Sequence, residues 1–61
     1  MLIIQLQDKD MEFDLFKPAV KFCEEEFGYG GEAWDDVIDS NSMSQLYYFL
    51  EEDGICVIYK P

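Results

Sequence analysis

Two stretches near the start of the chain have apolar side chains at every second position, and this pattern constrains the fold most strongly. In residues 2 to 7 the apolar face would hold Leu2, Ile4 and Leu6. In residues 11 to 16 it would hold Met11, Phe13 and Leu15. A period of two is typical of a strand with one buried face. The polar residues Asp8-Lys9-Asp10 between the stretches favour a turn, so we predict a β-hairpin.

The competing interpretation is a helix that begins near Asp10. Pro18 weighs against it, because a proline disfavours helical geometry at the residue before it, here Lys17. Proline suits the first turn of a helix, so we expect the first helix to begin at Pro18 and to end at Gly28.

Two further helices are predicted downstream. Residues 32 to 39 place Ala33, Trp34, Val37 and Ile38 on one side, which makes Trp34 a core residue. For residues 43 to 53 two interpretations compete. Ser42 followed by Gln45 resembles a helix capping box. The alternative is a strand that turns through Asp53-Gly54, and we favour the helix.

Residues 55 to 60 are rich in β-branched side chains and predict a last strand. The element order β-β-α-α-α-β indicates a single α+β domain over residues 1 to 61, with two or three short helices packed on one face of a small antiparallel sheet. No stretch approaches the ~18 apolar residues of a membrane span, and no export signal is evident, so we expect a cytoplasmic protein.

The chain is strongly acidic. Fourteen aspartates and glutamates against four lysines give a net charge of −10, with no arginine and no histidine. Between Lys21 and Lys60 there are ten acids and no basic residue. Repulsion among so many like charges destabilises a small fold, so the excess of negative charge suggests that the charge has a function. Anionic lipids and nucleic acids would repel such a chain, so we expect neither as a direct partner.

Most catalytic and metal chemistry is disfavoured. Without histidine there is no Ser-His-Asp or Cys-His arrangement, and two cysteines cannot complete a zinc site. The four acids from Asp8 to Asp14 are expected to lie in a row on one face of the hairpin. They fail the EF-hand pattern, which requires glycine and glutamate where Phe13 and Ala19 stand. Catalytic pockets need ~300 Å³ or more, which we expect so small a fold to lack. We therefore expect no enzyme, no metal and no cofactor.

The cysteines, Cys23 and Cys56, are expected to be small buried apolar residues in a reducing compartment. A single bridge between them is the alternative.

Three interpretations of the charge compete. The protein imitates nucleic acid and blocks a basic nucleic-acid-binding protein; or it is a protein-binding adaptor or antitoxin-like module whose acids complement a partner; or the charge is a solvated surface. The candidate partner-binding residues combine the central acids with two tyrosines: Glu24, Glu25, Glu26, Tyr29, Glu32, Asp35, Asp36, Asp39 and Tyr48. Of the consecutive aromatics Tyr47, Tyr48 and Phe49, at least one should be exposed, and Tyr48 or Phe49 is the candidate interface anchor. The alternative is a contact with a second copy of the protein.

The acidic runs "CEEEFGYGGEAWDDVID" and "LEEDG" support a resemblance of class. A strongly acidic single domain of this size resembles the small inhibitors that bacteriophages encode against host defence, including anti-CRISPR and anti-restriction DNA mimics. The stretch "GYGGEAWDD" is also similar to part of the barstar-type ribonuclease inhibitors, although the strand expected after the tryptophan helix is not evident. Both resemblances imply an acidic protein that blocks a nucleic-acid enzyme, and neither transfers individual residues.

Overall fold

The computed structural model describes all 61 residues, and its element order is the predicted one. Strand β1 spans Leu2–Gln5 and β2 spans Asp10–Phe13; helices α1, α2 and α3 span Phe16–Phe27, Glu32–Ser40 and Met43–Glu52; strand β3 spans Val57–Tyr59. The predicted helix over residues 43 to 53 is confirmed against the strand alternative. Its N-cap is Ser42, whose hydroxyl accepts a 3.4 Å hydrogen bond from the backbone N–H of Gln45.

The three strands form one antiparallel sheet in the order β2-β1-β3. The predicted hairpin is present, with Leu2 opposite Phe13 and Gln5 opposite Asp10. The last strand pairs with the other edge of β1, where Ile3 lies opposite Ile58. The small α+β fold with an antiparallel sheet is therefore confirmed.

The helices cover one face of this sheet. Leu2 and Ile4 point into the core and are fully buried, whereas Ile58 on the opposite face is 39% exposed. Nine apolar residues form the core, and no polar or charged residue is buried: Leu2, Ile4, Ala19, Val20, Cys23, Trp34, Val37, Leu46 and Leu50. Trp34 is 1% exposed, which confirms its predicted place in the core.

The alternation of the second strand stops earlier than predicted. β2 ends at Phe13, and Leu15 is the N-cap of α1 with 68% of its surface exposed. Phe13 lies opposite Leu2, the first residue of β1, so pairing between the two strands ends there. Leu15 therefore has no sheet face to join. The prediction of a core-facing Leu15 is wrong.

Helix α1 begins at Phe16, two residues before the predicted start. Pro18 is its third residue, where the backbone N–H would have no helical partner in any case. Lys17 adopts helical geometry despite the proline that follows it, and Phe16 packs against the core. The end is as predicted: Gly28 adopts left-handed geometry with φ 72°, and its N–H bonds the carbonyl of Glu24 at 3.0 Å.

Two further burial predictions are wrong. Ala33 was expected beside Trp34 in the core, yet it is exposed. Because α2 turns by about 100° per residue, Ala33 points to the side of the core-facing stripe set by Trp34, Val37 and Ile38. Cys56 was expected to be buried, yet it is exposed, since it alternates with the partly buried Ile55 and Val57 and so lies on the same open side as Ile58.

Candidate partner-binding surface

The outward face of α2 carries four carboxylates and no cation. The buried residues of this helix are Trp34 and Val37. At about 100° per residue, the four acids cluster on the side opposite to the core, and all are exposed: Glu32, Asp35, Asp36 and Asp39. We call these four residues the acidic face of α2. The structure brings together here four of the nine predicted partner-binding residues.

The helix dipole stabilises two of the four acids on this face. Glu32 and Asp35 lie in the first turn of α2, where the helix dipole favours negative charge. The dipole does not explain Asp36 or Asp39, which follow further along the helix. The acidic face therefore extends beyond the positions that helix stability alone would select.

The three consecutive glutamates of α1 do not share a face. Successive residues diverge by about 100°, so Glu24, Glu25 and Glu26 point in three directions. Glu24 points toward α2, where its carboxylate accepts a 2.9 Å hydrogen bond from the indole Nε1–H of Trp34. Glu24 therefore connects two helices, while Glu25 and Glu26 are exposed without such a role.

The four acids of the hairpin do not all lie on one face of a strand. Asp10 and Glu12 lie in β2 and are exposed. Asp8 lies before the strand and Asp14 after it, so the predicted row of four carboxylates on one strand face is reduced to two. The structure brings together no group of three or more acids, cysteines or histidines that could hold a metal ion.

Tyr29 is packed into an aromatic cluster. Its ring stacks on Trp34 with centroids 5.0 Å apart and meets Phe49 edge-on at 5.1 Å. Its hydroxyl donates a 2.5 Å hydrogen bond to Asp53. The pKa of the Tyr29 hydroxyl is raised mainly by partial burial and, to a smaller extent, by this hydrogen bond to a carboxylate. Tyr29 is partly buried, so only part of the ring is open to a partner.

Tyr48 is the exposed member of the three consecutive aromatics, with 56% of its surface accessible. Phe49 packs 5.1 Å from Trp34, and Tyr47 packs 6.0 Å from Tyr59. The hydroxyl of Tyr47 donates to Glu51, and this hydrogen bond raises the pKa of Tyr47. The expectation that at least one of the three is exposed is confirmed, and the exposed residue is Tyr48.

A cleft of about 650 Å³ opens between α1 and α2. We expected so small a fold to lack such a volume. Five of the eight residues that line the cleft are polar or charged. The residues that line it are Phe16, Lys17, Val20, Lys21, Glu24, Ile38, Asp39 and Asn41. Sequence reasoning missed this feature, because nothing local indicates which flanks of α1 and α2 face each other.

The lining contains two lysines and two acids, so its formal charge is balanced, unlike the rest of the surface. It contains no cysteine, serine or histidine. Asp39 belongs both to this cleft and to the acidic face of α2.

The two cysteines are not bridged. Cys23 is fully buried, and burial together with the negative charge of Glu24 raises the pKa of its thiol from 9.0 to about 12. Cys23 is therefore an unreactive core residue, whereas Cys56 is an exposed thiol.

The chain matches no protein-family model, no curated protein and no solved structure. None of the three helices has the length and apolar character needed to cross a membrane. The fold and surface thus define a small acidic α+β protein.

Proposed function

We propose that this protein is an acidic inhibitor that imitates the charge of nucleic acid and occupies the basic nucleic-acid-binding surface of a nuclease or of a CRISPR-type or restriction-type effector. The observation behind the proposal is the acidic face of α2, where four exposed carboxylates lie opposite the core without an intervening cation. The resemblance to phage-encoded inhibitors adds the expectation of a viral origin and of action in the host cytoplasm.

The spacing of these carboxylates fits a phosphate-binding groove. With a rise of 1.5 Å per residue, Glu32 and Asp39 are about 10 Å apart along the helix axis. This equals about three nucleotide steps of one DNA strand, at 3.4 Å per step. Four charges over that length give a charge density similar to that of a phosphate backbone. A lysine- and arginine-lined channel would accept this face in place of its usual ligand.

The proposal also uses the charge of the whole molecule. A net charge of −10 attracts a basic partner over distance and accelerates encounter. Three of the four residues on the acidic face are aspartates, whose short side chains lose less rotamer entropy on binding than longer charged side chains.

The alternative function is an adaptor or antitoxin-like module that does not mimic nucleic acid. The exposed ring of Tyr48 favours it, because tyrosine is enriched among the residues that dominate interface energy. Contact of Tyr48 with a second copy of the chain is the homodimeric version of this alternative.

The test uses two variants that each remove four carboxylates without adding charge. The first replaces the acidic face: Glu32→Gln, Asp35→Asn, Asp36→Asn and Asp39→Asn. The matched control replaces the acids of the hairpin: Asp8→Asn, Asp10→Asn, Glu12→Gln and Asp14→Asn. The tagged proteins capture partners from bacterial lysate at ~0.1 M salt and are then washed at ~1 M salt, where the Debye length falls from ~10 to ~3 Å. Circular dichroism checks that both variants fold, and the recovered partner is assayed for nucleic-acid binding.

Mimicry predicts a basic nucleic-acid-binding partner that is released by high salt or by competing DNA, that is lost with the first variant, and that is retained with the control. The wild-type protein should also inhibit that partner's binding to DNA. A partner that survives ~1 M salt, ignores DNA and is lost on Tyr48→Ala would establish the adaptor function and refute mimicry.

A further inference from the structure

Four partly buried aromatic rings form a continuous strip in which each ring neighbours the next. Ring centroids are 6.3 Å apart between Phe22 and Phe27, 5.6 Å between Phe27 and Tyr29, and 5.1 Å between Tyr29 and Phe49. We call these four rings the aromatic strip. Each ring packs against the core on one side, and none is fully buried. The strip therefore leaves aromatic surface accessible to solvent.

Carboxylates adjoin the strip at two places. Glu26 lies one helical turn after Phe22 on α1, which places the two side chains about 5–6 Å apart at their Cβ atoms. Asp53 accepts the hydroxyl of Tyr29, and its backbone N–H bonds the carbonyl of Phe49. Both acids are exposed.

The lysines of the chain lie elsewhere. Lys17 and Lys21 line the cleft between α1 and α2, Lys9 belongs to the hairpin turn, and Lys60 follows β3. The strip thus combines ring surface and carboxylates without a cation of its own.

We propose that the aromatic strip binds arginine side chains of the basic partner, an inference that rests on the proposed function and specifies its recognition chemistry. A guanidinium group stacks on an aromatic ring and at the same time donates paired hydrogen bonds to a neighbouring carboxylate. An ammonium group is a compact, strongly hydrated charge and fits this combination less well. The strip therefore selects arginine over lysine, whereas the acidic face of α2 attracts both equally.

The experiment compares two peptides of equal charge, octa-arginine and octa-lysine, by isothermal titration calorimetry at ~0.15 M salt. We expect octa-arginine to bind about fivefold more tightly, in line with one or two exposed cation–π contacts. The ratio of the two affinities is then measured for two pairs of single variants. In each pair, the same type of substitution is made once at the strip and once away from it.

The first pair of variants is Glu26→Gln and Glu12→Gln. Each removes one exposed carboxylate by the same substitution, but Glu26 adjoins Phe22 on the surface of α1, whereas Glu12 lies in β2, opposite Ile3. The second pair is Phe27→Leu and Phe16→Leu. Both replace a partly buried phenylalanine of α1, but Phe16 lies at the cleft and outside the strip. We expect Glu26→Gln and Phe27→Leu to bring the arginine-to-lysine ratio close to one, and the two controls to leave it unchanged.

Equal affinity of the wild-type protein for both peptides, or equal effects within each pair, would overturn the inference. Binding to neither peptide would overturn it as well. The fourfold variant of the acidic face tests the proposed function separately from this inference. It should weaken the binding of both peptides and leave the ratio of their affinities unchanged. If that variant has no effect while the arginine preference persists, the acidic face of α2 is not the binding surface, and the strip is.

Discussion

At the scale of single residues, the acids of this protein differ in what they do for the fold. Glu24 accepts the indole N–H of the buried Trp34, and Asp53 accepts the hydroxyl of Tyr29. Glu25, next to Glu24, is exposed and has no such contact. If Glu24, Glu25 and Glu26 were all replaced together, a loss of binding could therefore not be distinguished from a loss of stability. The acidic face of α2 is a cleaner target, because none of its side chains accepts a hydrogen bond from the core.

This difference predicts opposite effects of two neighbouring substitutions. Glu24→Ala removes the hydrogen-bond partner of Trp34 Nε1 and should lower the free energy of unfolding by about 1–2 kcal/mol. Glu25→Ala removes an acid near the C-terminal end of α1, where the helix dipole disfavours negative charge, and should leave stability unchanged or raise it by a few tenths of a kcal/mol. Urea denaturation followed by Trp34 fluorescence measures both. Equal destabilisation by the two would mean that the Trp34–Glu24 hydrogen bond contributes nothing.

At the scale of elements, the ends of the helices follow from identifiable residues. Gly28 ends α1 in left-handed geometry with φ 72°, and Ser42 caps the start of α3. Both were evident as sequence signals, because glycine after an amphipathic run and serine three residues before glutamine act through local backbone geometry. The start of α1 was predicted less well, because local preference at Lys17 was outweighed by the packing of Phe16 against the core.

Two glycines of the α1–α2 connection provide a matched test of the helix end. A Cβ atom at Gly28 or at Gly30 would meet no atom within 4 Å, but only Gly28 of these two has a positive φ. We expect Gly28→Ala to cost about 1–2 kcal/mol from left-handed strain. Gly30→Ala should be neutral or stabilising by about 0.4–1 kcal/mol, because it restricts the unfolded chain.

Thermal unfolding monitored by circular dichroism measures both glycine variants. Similar losses of stability at the two positions would show that space or flexibility of the connection, and not the left-handed geometry of Gly28, is the reason for glycine there.

At the scale of the whole molecule, a core of nine residues holds together a chain with a net charge of −10. Such a small domain buries only about 60% of the surface of its unfolded chain, so its stability is marginal. Mutual repulsion among the acids lowers that stability further. The aromatic contacts from Phe13 through Trp34 add to the core the large apolar area that short helices would otherwise lack.

Stability should therefore rise with salt. Between ~0.02 and ~0.5 M NaCl, screening shortens the range of repulsion, and we expect the midpoint of thermal unfolding to increase by several degrees. The fourfold variant of the acidic face, with a net charge of −6 because four of the charges of the wild-type protein are removed, should show a smaller increase. A midpoint that falls with NaCl, or the same rise in both proteins, would show that repulsion does not limit stability.

By itself, the sequence determined the order of the elements, the hairpin, the helix ends at Gly28 and Ser42, and the place of Trp34 in the core, because these depend on periodicity and on local backbone geometry. Only the tertiary structure decided that Tyr48 is the exposed aromatic, that α1 and α2 enclose a cleft, and that Trp34 meets Glu24 and Tyr29 meets Asp53. These contacts join residues 10 and 24 positions apart. They form only when separate elements pack, and no local pattern specifies how two helices turn toward each other.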